Sequence, residues 1–519
     1  MDLVVELLSI TTGGNLVIVI GQKTASLLGV HSSDRIKITS GTKCIIAIAN
    51  IAENFPENHI GLFEETKEAL PGVKDTAFVS VQPAPLPASL FNIRAKLRGE
   101  RLHEKDLFTI VQDVVDRHLS AVEIAGFLTA LSIHGVSMDE NEALSKAMIM
   151  TGKTIDFGKG PILDKHSVGG IPGDKTSMLI VPIVAAAGFT IPKTSSRAIT
   201  SPAGTADRVE TLCPVTLTTS EIKDVVKKTG GCIVWGGALE LAPADDLFIQ
   251  VEYPLGINPM ILSSILSKKK TIGATHVVID IPTGMGAKIK TRQEAYTLAS
   301  DFVELGKRLD LTIQCALTFG DQPLGYSMGP ALEAQEALAT LTGQGPLDLR
   351  AKVVSLASML FEEVGVENPR GMAEDMITSG KAERKLREII AAQGGNPTVK
   401  PQDLPVGPQR AAIYSKEAGK VLWLSTDDLV RIARIAGAPK EKGAGIRLNA
   451  KLGDTVHKGG LLFEIFAERN SKLTAAIELV NQLSPVTLSK RYEEKMVLDT
   501  LPNRIFREKT FIIEQIKEG

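Results

Sequence analysis

The chain has 519 residues, of which 44% are hydrophobic and 23% charged, with a formal net charge of −2. That balance, with only 4% aromatics, excludes the basic face and stacking platforms of a nucleic-acid binder. The length exceeds what one core supports and implies roughly three or four domains.

Four cysteines, Cys44, Cys213, Cys232 and Cys315, are scattered without a C-x-x-C pair. They read as free thiols in a reducing compartment, and no His/Cys spacing suggests a metal. No run of about eighteen apolar residues could span a membrane, and the N-terminus lacks a basic leader. A cytoplasmic protein without membrane partners is expected.

Residues 1–84 read as a β-rich module. Leu3–Ser9, Asn15–Ile20, Arg35–Thr39 and Lys43–Ala49 are short β-branched runs separated by turn residues. Gln82–Pro87 reads as a stiff linker. From Ser89 to Gly152 the pattern is helical, with apolar residues at i, i+3 and i+4 over Asp106–Asp116 and Ala121–His134, the latter opened by a Ser120/Glu123 capping box. Beyond residue 160 short strands alternate with helices, the grammar of an α/β domain. Val277–Ile281 and Leu311–Leu317 are nearly continuous apolar strands. Met178–Ala187, Arg292–Leu309 and Gly329–Thr342 read as helices. The Pro- and Gly-rich stretch Gly394–Val406 marks a boundary, and the two glycine turns in Lys451–Gly460 suggest a small structural β module.

The run Asp164–Ser177 carries the strongest chemical signal. Lys165, His166 and Ser167 stand together, a glycine turn follows, and two more hydroxyls, Thr176 and Ser177, lead into the apolar helix. Hydroxyls and free N–H groups at a helix start, with a lysine beside them, make an anion site whose simplest ligand is phosphate. It is not a P-loop, because the lysine precedes the glycines. Thr194–Asp207 adds six hydroxyls, Arg197 and a glycine turn, expected at the C-terminal edge of a parallel sheet. Gly236–Asp245 reads as a crossing between domains. In Ser263–Lys270, Ser264 and Lys268 share a helical face. Lys269 and Lys270 read as a lysine run completing the C-terminal dipole of that helix.

These segments, together with Leu241–Asp245 and Gln322–Gly325, recur in this order in the thymidine phosphorylase family of nucleoside phosphorylases. The chain resembles most the longer branch, which includes archaeal AMP phosphorylases and bacterial thymidine phosphorylases. The resemblance covers nearly the whole chain. It implies an α/β fold of nucleoside phosphorylase type, in which a helical domain (88–150 and 246–275) faces an α/β domain (155–245 and 276–393) across a cleft. The N-terminal β-rich module (1–84) and a C-terminal α+β unit (395–519) flank them.

By the same resemblance, Lys165, Ser167, Ser177, Ser195 and Thr205 hold phosphate, and Ser264 and Lys268 contact the base or sugar. The implied substrate-binding set extends to Gly170, Ser196, Thr200, Ser201, Asn258 and Lys288. Inorganic phosphate is the co-substrate, no cofactor or metal is expected, and a homodimer or larger homo-oligomer is implied.

Phosphorolysis displaces a base from C1′ through an oxocarbenium-like transition state. It needs a fixed phosphate on one face and donors or positive charge on the departing base. His166, Lys165, Arg197 and Lys268 are the expected catalytic groups. Joining two substrates across a cleft also predicts domain closure.

The AMP phosphorylases carry a proton-donating aspartate after the stretch that here reads Glu252–Leu255; Asn258 takes its place, and an amide cannot deliver a proton. The arginine that shorter thymidine phosphorylases use for the pyrimidine is missing from Leu247–Gln250. A pyrimidine anion can leave on hydrogen bonds from His166 and Lys268, so the expected reaction is thymidine plus phosphate to thymine and 2-deoxyribose 1-phosphate. The alternative is AMP phosphorolysis to a free base and ribose 1,5-bisphosphate. A remote alternative is an anthranilate phosphoribosyltransferase-like transfer, for which no adjacent acidic metal pair stands near the phosphate loop.

Overall fold

The computed structural model describes residues 1–489; the part of the expected C-terminal unit at 490–519 lies outside the described residues. The first strands are β1 (Asp2–Leu7), β2 (Val17–Gly21), β3 (Arg35–Ser40), β4 (Lys43–Ala52), β5 (His59–Leu62) and β6 (Phe78–Pro83). They close into a barrel in the order β1-β5-β2-β4-β3-β6. Alternation drives this: Leu3 and Val5, Ile18 and Ile20, Ile36 and Ile38 all point into one core. Two short helices, α1 (Gln22–Leu28) and α2 (Glu64–Ala69), fill the connections. The expected linker begins two residues later than Gln82, because Gln82 and Pro83 still pair with Lys37 and Ile36 at the end of β6, where a proline is tolerated.

Four helices follow: α3 (Ser89–Leu97), α4 (Glu104–Val115), α5 (Ala121–His134) and α6 (Met138–Met150). Capping boxes at Ser120/Glu123 and Ser137/Glu140 start α5 and α6. Leu107, Ile110, Val111, Phe127, Leu131 and Leu144 form their shared core.

The α/β region runs β7 (Leu163–Ser167), α7 (Thr176–Ala186), β8 (Ile191–Ser195), α8 (Thr205–Val209), α9 (Thr219–Thr229) and β9 (Gly231–Trp235). Two helices, α10 (Pro243–Leu255) and α11 (Ile261–Thr271), interrupt it. It resumes with β10 (His276–Thr283), α12 (Arg292–Arg308) and β11 (Thr312–Phe319). Strands β11-β10-β7 pair in parallel, as do β8 and β9. An Ile162–Thr190 bridge joins β7 to β8. All the site-bearing strand ends therefore emerge on one edge. Beyond its first turn helix α7 is apolar all round, and it is buried from Thr176 to Ala185, packing against β8 and β9 and against α14 (Leu347–Glu363) and α16 (Lys381–Ala392). Helices α13 (Pro330–Leu341) and α15 (Pro369–Thr378) complete this layer.

The inserted α10 and α11 connect the two regions. Ala244 and Phe248 of α10 enter the helical core, where the Phe248 and Phe127 ring centroids lie 6.1 Å apart. Helix α11 packs both ways: Ser263 donates to Asn141 of α6 at 2.9 Å, while Ile265 and Leu266 share a core with Val277 and Ile279 of β10.

The C-terminal unit contains β13 (Gln409–Tyr414), β14 (Gly419–Leu424), α17 (Thr426–Ile435), β15 (Gly445–Leu448), β16 (Thr455–Val456), β17 (Leu461–Ala467), α18 (Asn470–Gln482) and β18 (Val486–Ser489). The short strand β12 (Ser327–Met328), from the α/β region, pairs with β15 and so anchors this unit to the sheet domain. Among the described residues no helix is long and apolar enough to cross a membrane.

Candidate active site

The C-terminal ends of β7, β8 and β9 open onto a cavity of about 500 Å³, closed on the far side by α10 and α11. From the sheet side, Lys165, His166 and Ser167 line it, then Ser177, then Ser195, Ser196 and Thr205. From the helical side come Asp246, Asn258, Ser264, Lys268 and Lys269. Lys288, on the loop after β10, also lines it. Helix α7 starts at Thr176 rather than Met178, so Ser177 sits in its first turn, among amides without helical partners. Gly169 has a φ of 62°, and a Cβ there would meet the Lys288 side chain at 2.6 Å. Glycine lets the β7 turn and Lys288 approach each other.

Lys165 is buried. It donates to Thr176 Oγ1 at 2.7 Å and stands 3.5 Å from Asp280 Oδ2 and 3.6 Å from Asp174 Oδ2. Lys352 pairs with the same Asp280 oxygen at 2.8 Å, and Ser167 donates to it at 2.9 Å. Burial opposes the Asp174 charge, but Lys165, Lys352, Arg208 and the Thr176 hydroxyl outweigh it and hold this carboxyl well below the usual range. Lys165 is thus a positioned ammonium at the mouth of a buried lattice of charges.

Below it, Asp164 accepts from Lys269 at 2.6 Å and lies 3.4 Å from Lys193. The expectation that Lys269 only completes the helix dipole is corrected: this lysine is paired with Asp164. It is 3% exposed and lines the cavity, because α11 turns this face toward β7, where Asp164 supplies a counter-charge. Lys193 also lines the cavity. Burial, with Lys269 and Lys165 nearby, pushes it down to about 7 against the pull of Asp164. The sequence carried a signal for it: a lysine inside a strand enclosed on both faces rarely lacks a purpose.

His166 is held well below the usual imidazole range, first by burial and then by the four lysines around it. It is therefore neutral and can offer a hydrogen bond but not a positive charge. Arg197 lines the cavity but is held by Glu210 at 2.6 and 2.7 Å and by Asp207 at 3.3 Å, with its guanidinium 5.0 Å from the Trp235 ring centroid. Lys268 pairs with Asp245. Burial works against its charge, but Asp245, Asp246 and Glu252 outweigh it and raise it above the usual lysine range. Gly170, Thr200 and Ser201 lie outside the cavity lining. Arg434 of α17 donates to the Ile199 and Ser201 carbonyls at 3.0 and 3.2 Å, so the C-terminal unit braces the hydroxyl-rich loop from behind.

Residues 92–152 match the family described as glycosyl transferase family, helical bundle domain, and residues 159–383 match its a/b domain. Residues 421–487 match the pyrimidine nucleoside phosphorylase C-terminal domain. The AMP phosphorylase of Thermofilum pendens is 46% identical over 484 residues, 93% of this chain and 94% of its own. That of Pyrococcus furiosus is 47% identical over 506 residues, 96% of this chain and 99% of its own. The chain belongs to the thymidine phosphorylase family, on its long branch. It is a pentosyltransferase of the nucleoside phosphorylase type.

AMP phosphorylase 1 of Archaeoglobus fulgidus is 44% identical over 481 residues, 92% of this chain and 95% of its own. An anthranilate phosphoribosyltransferase from Thermus thermophilus superposes with a TM-score of 0.50 at 21% identity, covering 58% of this chain and 98% of its own; this likeness concerns the fold alone.

The full-length relatives overturn thymidine as the expected substrate: they carry the name AMP phosphorylase at 44–47% identity. The expectation rested on Asn258 being unable to protonate a purine. Position 258 is not the one place from which an acid can reach this cavity, because Asp246 lines it too.

Proposed function

We propose that this protein catalyses the phosphorolysis of a purine nucleoside 5′-monophosphate: AMP and phosphate give adenine and ribose 1,5-bisphosphate. The observation that carries this reading is the identity of 44–47% over 91–96% of the chain with AMP phosphorylases. The cavity's charge supports it. Six basic side chains (Lys165, Lys193, Arg197, Lys268, Lys269, Lys288) against two acidic ones (Asp174, Asp246) line it, which suits a substrate pair bearing two phosphate groups.

In this reading inorganic phosphate sits among Ser177, Ser195 and Thr205 beside Lys165, aligned for attack on C1′. Its negative charge meets ammonium groups and fixed hydroxyl and amide dipoles that need no reorganisation, and the bound phosphate in turn offsets the positive charge of the oxocarbenium-like transition state. Lys288 is the natural partner of the 5′-phosphate. Among the described residues it forms no ion pair or hydrogen bond; burial lowers its pKa, with only Glu252 pulling the other way. Ser264 and Lys268 hold the base side, Lys268 as a permanent cation. In this scheme phosphate is a co-substrate and no cofactor takes part.

The test is a screen of AMP, adenosine and thymidine, each with and without phosphate and with EDTA present, read by release of free base. Phosphate-dependent release of adenine from AMP, faster than base release from either nucleoside and persisting in EDTA, is expected. Faster release of thymine would remove the reading.

A further inference from the structure

We propose that Asp246 is the acid that protonates the departing base, filling on α10 the role that Asn258 cannot perform. This rests on the purine nucleotide reading above. Asp246 lines the cavity on the same helical wall as Asn258, Ser264 and Lys268. Among the described residues its carboxyl forms no hydrogen bond and no close ion pair. Its neighbour Asp245, by contrast, is fully buried and engaged with Lys268. One acid of the pair thus anchors the lysine, and the other is left facing the substrate space.

The surroundings suit a carboxyl that carries its proton. Burial raises Asp246 to about 6; Lys268 of α11 opposes this and Asp245 of its own helix adds to it. Helices α4, α5 and α6 pack against α10, and they meet it through apolar residues such as Ala244 and Phe248. Two neighbouring acids whose surroundings separate their protonation states form a recurring acid–base arrangement.

The C1′–N9 electron pair leaves with the purine while a phosphate oxygen bonds to C1′. N7 takes the proton from the Asp246 carboxyl, so adenine departs neutral. The carboxylate left behind is reprotonated from solvent, which receives an equal proton from the new phosphate ester.

The working form is the protonated one, so kcat on AMP falls as pH rises through the Asp246 pKa. The N7-methylated form of the same nucleotide needs no proton to leave, because its base departs without gaining one. The wild-type enzyme should therefore show the alkaline fall with AMP and lack it with the N7-methyl nucleotide. D246N should lower kcat on AMP by about two orders of magnitude or more while changing turnover of the N7-methyl nucleotide by less than about threefold.

An alkaline fall of the same shape with both substrates would overturn the assignment. Equal slowing of both substrates by D246N would also do so, as would an unchanged kcat on AMP. The comparison is made on whichever purine nucleotide the wild-type enzyme cleaves, since only a purine carries an N7. Failure to release adenine from AMP therefore counts against the substrate reading, and the shape of the pH profile still decides Asp246.

Discussion

Lys269 of α11 donates to Asp164 of β7 at 2.6 Å, with 3% and 0% of the two side chains exposed. This one contact ties the helical wall of the cavity to the strand that carries Lys165 and His166. Asp164 also accepts from the Lys165 backbone N–H at 2.7 Å and balances Lys193. Asp164→Asn therefore leaves two buried lysines without a counter-charge. It should cost about 3–5 kcal/mol of unfolding free energy, the scale of a broken buried pair. Urea denaturation measures it; a loss of about 1 kcal/mol or less, typical of exposed pairs, would contradict the account.

Lys165→Ala should lower kcat/KM for phosphate by about two to three orders of magnitude, corresponding to about 2–4 kcal/mol of transition-state stabilisation. The side chain lies between Asp174, Asp280 and the open cavity. Circular dichroism on the same sample separates this loss from unfolding. A near-normal kcat/KM would remove Lys165 from the phosphate site.

Lys288→Met addresses the second phosphate. The variant should raise KM for AMP by about tenfold or more, as expected for a lost charge-assisted contact. Any residual cleavage of adenosine should be unaltered. Equal effects on nucleotide and nucleoside would show that Lys288 does not meet the 5′-phosphate.

Much of this architecture is legible in the sequence, and the parts that are not have physical reasons. Alternation gives β1 to β4 but misses β5 and β6. His59–Leu62 spans four residues and Phe78–Pro83 ends in proline, so neither offers a long periodic signal. The capping box places the start of α5 at Ala121. Lys165, Ser167, Ser177, Ser195, Thr205, Ser264 and Lys268 all line one cavity, as their clustering around glycine turns suggests. Lys193, Lys269 and Asp246 escape notice because their importance lies in partners more than twenty residues away, or in lacking one. A sequence shows charge, but not whether a counter-charge arrives from another strand. The same blindness misdirects the substrate: Asn258 is weighed without knowing that Asp246 shares its wall.

Glu252 allows a pH test of stability near the site. It is 6% exposed, and burial together with Asp245 pushes it up to about 7 from an ordinary 4.5, against Lys288 and Lys268. Between those values the folded state holds more protons than the unfolded state, so this group's contribution weakens as pH rises across the window. Glu252→Gln removes that slope. Its denaturation midpoint relative to wild type should improve steadily from pH 4.5 to pH 7 and level off above. A constant difference across the range would show that the carboxyl is not displaced.

The most direct measurement of the central claim is ³¹P NMR of a reaction containing the protein, AMP and inorganic phosphate. The account predicts loss of the AMP signal and of inorganic phosphate in equal amounts. Two new phosphate-ester signals of equal intensity should appear, one for each end of ribose 1,5-bisphosphate, with adenine released in step. An unchanged AMP signal, under conditions where the same sample converts thymidine and phosphate to a single sugar phosphate, would contradict it.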